Sequence, residues 1–186
     1  MKKLLLSVTV IILSFSLNLM AQDYAKEGIW EVGGRINYTS TTYVSNGETA
    51  EHSYNVFSLH VPYYYFPIDG LEVGLIPGYE NVSYGDNSAS ALDISLGLAY
   101  NFQTKGNAYP FLEGRIGYNS TSNGDAKSGM VWLLAGGVKL QVGGNALVSI
   151  GFAYEQSTLE KSDNEGGRDG SNAWGIDAGF AVFFGK

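Results

Sequence analysis

The sequence predicts an all-β fold: an eight-stranded antiparallel up-and-down transmembrane β-barrel preceded by a cleavable signal peptide. Three observations carry this reading. Eight stretches alternate large apolar residues with small or polar ones at period two. The connections between them alternate long and short, as in barrels with long outer loops and short periplasmic turns. The bulky residues keep to one face of every stretch, and that face is free of Lys and Arg mid-strand.

The chain opens MKKLLLSVTVIILSFSLNLMAQ, with two lysines, an apolar run and Met20-Ala21-Gln22. That order marks residues 1–21 as a secretory signal peptide cleaved after Ala21. As a retained anchor the run Leu4–Met20 sits at the bottom of the roughly 17–25 residues that span a bilayer. Without cysteine, neither lipid attachment at the cleavage site nor a disulfide framework is available. Residues 22–27 read as a periplasmic N-terminal lead and 28–186 as the barrel domain, with no linker between them. The 11 basic residues, Lys2 and Lys3 included, face 18 acidic ones, which disfavours nucleic acid as a partner.

The strands follow in order. The first, about Ile29–Tyr43, sets Trp30, Val32, Ile36 and Tyr38 against Glu31, Gly33, Arg35 and Asn37; polar VSNGETAEHS ends it. The second, about Tyr54–Tyr65, sets Phe57, Leu59, Val61 and Tyr63 against Ser58 and His60. The third, about Leu71–Tyr84, sets Leu71, Val73, Leu75 and Tyr79 against Glu72, Gly74, Gly78 and Glu80, before a loop at YGDNSAS. The fourth, Ala91–Phe102, alternates most cleanly: Leu92, Ile94, Leu96, Leu98, Tyr100 and Phe102 against Asp93, Ser95, Gly97, Ala99 and Asn101. In the fifth, about Tyr109–Asn119, Leu112, Ile116 and Tyr118 oppose Glu113, Arg115 and Gly117. The sixth, about Met130–Val142, contains the continuous run VWLLA, which could also open a buried helix; Trp132, Leu134, Val138 and Leu140 nevertheless oppose Gly137, Lys139 and Gln141. The seventh, about Ala146–Thr158, sets Val148, Ile150, Phe152 and Tyr154 against Ser149, Gly151, Ala153 and Glu155. The eighth, Ala173–Phe184, sets Trp174, Ile176, Phe180, Val182 and Phe184 against Ala173, Gly175, Asp177, Gly179 and Ala181.

A soluble lipocalin-like barrel would show water a face rich in Lys, Glu, Thr and Gln. Here the second face is largely Gly, Ala and Ser. An eight-stranded barrel has an interior only just wide enough for side chains, so the small face fits inside and the bulky face must look out to lipid. Trp30, Tyr63, Tyr100, Phe102 and Phe184 then form an aromatic girdle at the periplasmic rim. Tyr38, Tyr79, Tyr118, Trp132, Tyr154 and Trp174 form one at the outer rim.

The signal peptide, these eight strands and the aromatic-ended last strand together resemble the small eight-stranded outer-membrane β-barrel family of bacteria, OmpA/OmpX-like in architecture, over Gly28–Phe184. The resemblance implies an outer-membrane protein with both termini periplasmic, surrounded by lipid and lipopolysaccharide. It also implies insertion by the barrel-assembly machinery through the last strand, although Gly185 and Lys186 follow Phe184 here. A monomer is expected.

The inward charges Glu31, Arg35, Glu72, Glu80, Asp93, Glu113, Arg115, Lys139, Glu155 and Asp177 are the candidate site. Buried charges need partners, so an interior polar network is expected, with Arg115 near Ser95 and diagonal to Asp93, and Arg35 and Asp177 on neighbouring strands. A plugged lumen with a structural or surface-interaction role is the first reading; a narrow cation-preferring pore is the second, because carboxylates outnumber basic groups. Ser58 and His60 share a face and suggest the remote alternative of an acyl hydrolase, but they lie about 6–7 Å apart along the strand, facing the lumen. No catalytic constellation, cofactor site or metal-ligand spacing is visible in the linear sequence; YGDNS and GGRDGS lack calcium-loop spacing. His52 falls in a loop. The protein is expected not to be an enzyme.

Overall fold

The computed structural model describes residues 24–45, 48–84, 87–121, 128–159 and 170–185. The signal peptide, residues 22–23, most of GGRDGS and the loop centres near Asn123 and Glu165 lie outside the described residues. The strands are β1 (Trp30–Ser45), β2 (Glu48–His60), β3 (Tyr63–Ile68), β4 (Leu71–Tyr84), β5 (Asn87–Asn101), β6 (Ala108–Thr121), β7 (Gly129–Gln141), β8 (Ala146–Leu159) and β9 (Gly170–Phe184).

All pairings are antiparallel, and β1 closes the sheet against β9 from Trp30↔Phe184 to Val44↔Gly170. β2 and β3 share the same neighbours, β1 and β4, and so are two halves of one stave interrupted at Val61-Pro62. Proline lacks the N–H the ladder needs. The ladder survives the break because Val61 N donates to Pro77 O at 2.9 Å and Pro62 O accepts from Gly33 N at 3.1 Å. The result is a closed barrel of eight staves. The VWLLA run is strand throughout, within β7.

Of the polar stretches read as long loops near Asn46 and Asp86, the described residues on either side, up to Ser45 and from Glu48, and up to Tyr84 and from Asn87, are strand. β1 and β2 pair out to Ser45↔Glu48, and β4 and β5 to Tyr84↔Asn87. The Thr, Ser and Tyr residues of these stretches favour strand. Strands of 13–16 residues on these staves exceed the ~9–11 that a bilayer requires. These hairpins therefore extend beyond the apolar belt.

The outward face is as the alternation predicts. Leu92 and Leu96 are 65% and 63% exposed, whereas Ser95 and Ala99 between and beyond them are 7% and 1% exposed. The same belt of exposed Leu, Ile, Val and Phe continues around the other staves. The inward face departs from the expectation of thin residues only. Tyr64, Phe66, Ile76, Phe111, Leu133 and Phe183 are buried in the lumen. Neighbouring glycines make the room: a Cβ on Gly97 would fall 2.5 Å from Tyr64 Oη and 2.6 Å from Ile76 Cδ1. Large and small residues thus alternate around the interior, which a barrel of this diameter demands.

The short-turn end is stoppered. Tyr24 and Ala25, in the segment read as a lead, are buried with Ile29, Phe66, Tyr109, Leu147 and Phe183. The Tyr24 ring packs edge-on against Phe66 and Tyr109, with centroids 5.4 and 4.9 Å away. Backbone bonds tie the segment down: Gly28 N to Phe66 O and Gly70 N to Ala25 O, both 2.9 Å.

Candidate functional site: a polar lumen in three clusters

Strand alternation sends one set of charges inward, and the barrel's stagger sorts them by height. Nearest the stopper, Lys139 of β7 is 1% exposed. Its ammonium donates to Glu72 Oε1 and Oε2 at 2.7 and 2.9 Å, to Glu31 Oε2 at 2.8 Å and to Tyr24 Oη at 2.7 Å. The Tyr24 hydroxyl lies 2.5 Å from Glu31 Oε2 and 2.6 Å from Glu72 Oε1. Three aromatic rings surround the ammonium at 5.4 to 5.8 Å, those of Tyr24, Tyr64 and Phe111. Three staves and the N-terminal segment are joined by one cation.

Across the middle of the lumen Glu113 is held from three sides. Arg35 Nη1 donates to its Oε2 at 2.5 Å, Tyr64 Oη donates to its Oε1 at 2.6 Å, and Arg115 Nε is paired with Oε1. Asp177 completes the group, 3.9 Å from Arg115 Nη2. Two guanidiniums and two carboxylates balance in charge. With every member buried, losing one leaves the others uncompensated in a low dielectric.

The third cluster faces the long-loop end. His60, Glu80, Asp93 and Glu155 line a small cavity there with Ser95 and Arg115. Asn119 donates to Glu80 Oε2 at 3.1 Å. Donor atoms of His60, Glu80 and Asp93 lie within 4.8 Å of one another. The linear sequence shows no such grouping because its members come from β2, β4 and β5; the sheet brings them together.

The ten inward charges thus occupy the lumen in three groups, with Arg115 paired to Glu113 and also lining the third group's cavity. Arg115 faces Gly97, not Ser95, because the β5–β6 connection is centred one residue later than the spacing suggests. An even offset keeps every side chain on its face and moves only the partner. Arg35 and Asp177 stand on neighbouring strands, yet the Arg35 partner is Glu113 across the lumen. Tyr24 and Tyr64 escaped the sequence reading, one lying before the first strand and the other within the aromatic run Tyr63–Phe66.

The aromatic residues read as girdles are on the outer surface. Trp132, Tyr154 and Trp174 form a continuous cluster, with centroid separations of 5.4 and 4.3 Å. At the opposite rim Trp30 packs on Tyr65 at 4.8 Å and pairs in register with Phe184, while Tyr100 meets Phe102 at 5.1 Å. Tyr38, Tyr63, Tyr79 and Tyr118 are exposed.

No protein-family model matches the sequence, and no curated protein matches it. Solved structures do match in fold. Neisserial surface protein A, NspA, is similar over 84% of this chain and 99% of its own, with TM-score 0.62 and 18% identity. The fold is that of the small outer-membrane barrels. The outer membrane protein OprG of Pseudomonas aeruginosa covers 91% of this chain and 100% of its own at TM-score 0.51 and 14% identity. The outer membrane enzyme PagL covers 80% and 97% at TM-score 0.56 and 14% identity. One scaffold carries a surface protein and an enzyme, so activity has to be argued from the site.

Proposed function

We propose that this chain is an integral outer-membrane β-barrel with a lumen closed by its own side chains and a structural or surface-interaction role. The observation that supports it most strongly is the Lys139–Glu31–Glu72–Tyr24 cluster. It ties three staves together and fills the lumen beneath a hydrophobic stopper at that end. The exposed apolar belt, bounded by aromatic rims, favours hydrocarbon as its surroundings. On this reading both termini are periplasmic and the long-loop end faces outward. Lipid and lipopolysaccharide contact the belt, β9 is the strand addressed by the assembly machinery, and the barrel works as a monomer.

A narrow cation-preferring channel is the second reading, favoured by the excess of carboxylates over basic groups in the lumen. A catalytic role is not proposed. Ser58 and His60 are both buried inside the barrel, and no hydrogen bond joins them among the described residues. Recording in planar bilayers separates the two readings. Steady single-channel conductance of the wild-type protein would favour the pore, and its absence the plugged barrel.

A further inference from the structure

The third cluster is the most unbalanced of the three: the first sets one cation against two carboxylates and the second is even, whereas the third holds three carboxylates. The seven inward carboxylates outnumber the three inward basic side chains by four. Three of the seven, Glu80, Asp93 and Glu155, share one cavity. Arg115 borders that cavity, but one guanidinium, paired with Glu113 and 3.9 Å from Asp177, cannot balance three further carboxylates. We propose that His60, Glu80 and Asp93, with Glu155 alongside, bind a single divalent transition-metal ion of the Zn²⁺ class.

Four observations carry this. His60 Nε2 and Asp93 Oδ1 face each other at 3.4 Å without a hydrogen bond. That separation is close to the edge of a tetrahedron whose bonds are about 2.0–2.1 Å long. Second, Asp93 Oδ1 has no hydrogen-bond partner, although the side chain is only 7% exposed. A buried polar atom without a partner is costly, and a cation bound between the two residues would satisfy the carboxylate and orient the ring. Third, the cavity, about 10 Å³ in volume, has room for one ion or one water. Fourth, Gly78 of β4 stands in register with both His60 and Asp93, on the strands to either side. A Cβ there would collide with Asp93 Oδ1 and His60 Cδ2. The absence of a side chain is what lets the two converge. An imidazole with carboxylates suits Zn²⁺ or Mn²⁺ better than Ca²⁺, which takes oxygen ligands throughout.

The test uses the full mature barrel refolded in detergent, stripped with chelator and dialysed against ZnCl2, with MnCl2 and CaCl2 in parallel. Metal retained per chain is counted by mass spectrometry. One equivalent of Zn²⁺ is expected. His60→Gln, Asp93→Asn and Gly78→Ala should each weaken binding about tenfold or more. His52→Ala, which alters the other histidine, should leave it unchanged. Folding of each variant is checked by far-UV circular dichroism. If a variant fails to fold, the decision passes to the wild-type protein loaded with Co²⁺, where paramagnetic shifts should appear on the His60 ring and not on His52. The proposal is overturned if folded wild-type protein retains no Zn²⁺, if folded His60→Gln and Asp93→Asn retain it undiminished, or if Co²⁺ leaves the His60 signals unmoved.

Discussion

Lys139 and Glu72, on β7 and β4, meet across the lumen with Nζ 2.7 Å from Oε1, both shielded from solvent. Only one stagger of the closed sheet sets these two strands at matching heights, so the pair acts as a register lock as well as a plug.

Removing the cation leaves Glu31 and Glu72 facing each other in the interior. Lys139→Met should therefore cost about 3–5 kcal/mol in denaturant unfolding of the barrel in detergent or lipid. The triple variant Lys139→Met, Glu31→Gln, Glu72→Gln should recover a substantial part of that loss. If the single and triple variants were equally destabilised, the cost would lie in packing and not in unpaired charge.

Gly97 and Gly34 provide a contrast in packing. Gly97→Ala places a methyl against Tyr64 Oη and Ile76 Cδ1, whereas a methyl at Gly34 meets nothing within 4 Å. Overpacking predicts a loss of about 1–3 kcal/mol for Gly97→Ala and little change for Gly34→Ala. Adding Tyr64→Phe to Gly97→Ala removes the clashing hydroxyl but also the bond to Glu113, so equilibrium unfolding of the double variant should show non-additivity.

Docking of the N-terminal segment should depend on acid pH. Asp69, exposed in the turn before β4, accepts a 2.8 Å bond from the Glu27 backbone N–H and pairs with Lys26 at 3.0 Å. The backbone bond first and Lys26 second hold its carboxyl below the ordinary carboxylate range. A group depressed in the folded state stabilises docking above its unfolded value, near pH 4, and loses that contribution as pH falls through the folded value. The protection factor of the Glu27 amide in hydrogen exchange, taken against its intrinsic rate at each pH, should fall in that acid window in the wild-type protein, while Asp69→Asn should be less protected at neutral pH and show a flatter profile. An identical pH profile for the two proteins would remove Asp69 from the docking.

Period-two alternation made the strands and their faces legible, because inward and outward are a binary choice that a few residues settle. Leu92 through Leu98 is enough to orient β5. Height along the barrel is a different quantity, fixed by hairpin centres and by shear, and these depend on turn details that alternation does not encode. Hence Arg115 could be placed inside but not opposite Gly97, and Arg35 could be placed beside β9 but not against Glu113. Tyr24 was hidden because a residue outside the strands carries no periodic signal. The Glu48–Ser53 stretch was hidden because polar strand beyond a membrane resembles loop in composition. His60, Glu80 and Asp93 are 20 and 13 residues apart in sequence and become neighbours only through β2–β4–β5 pairing.

The central claim, a bulky face in hydrocarbon around a filled centre, is tested most directly on β5. The chain has no cysteine, so single cysteines at positions 92 to 98 can carry a fluorophore in the barrel refolded into vesicles of brominated lipid. Quenching by the brominated acyl chains should be strong at 92, 94, 96 and 98, and weak at 93, 95 and 97. Uniform quenching, or quenching with the opposite phase, would contradict the account.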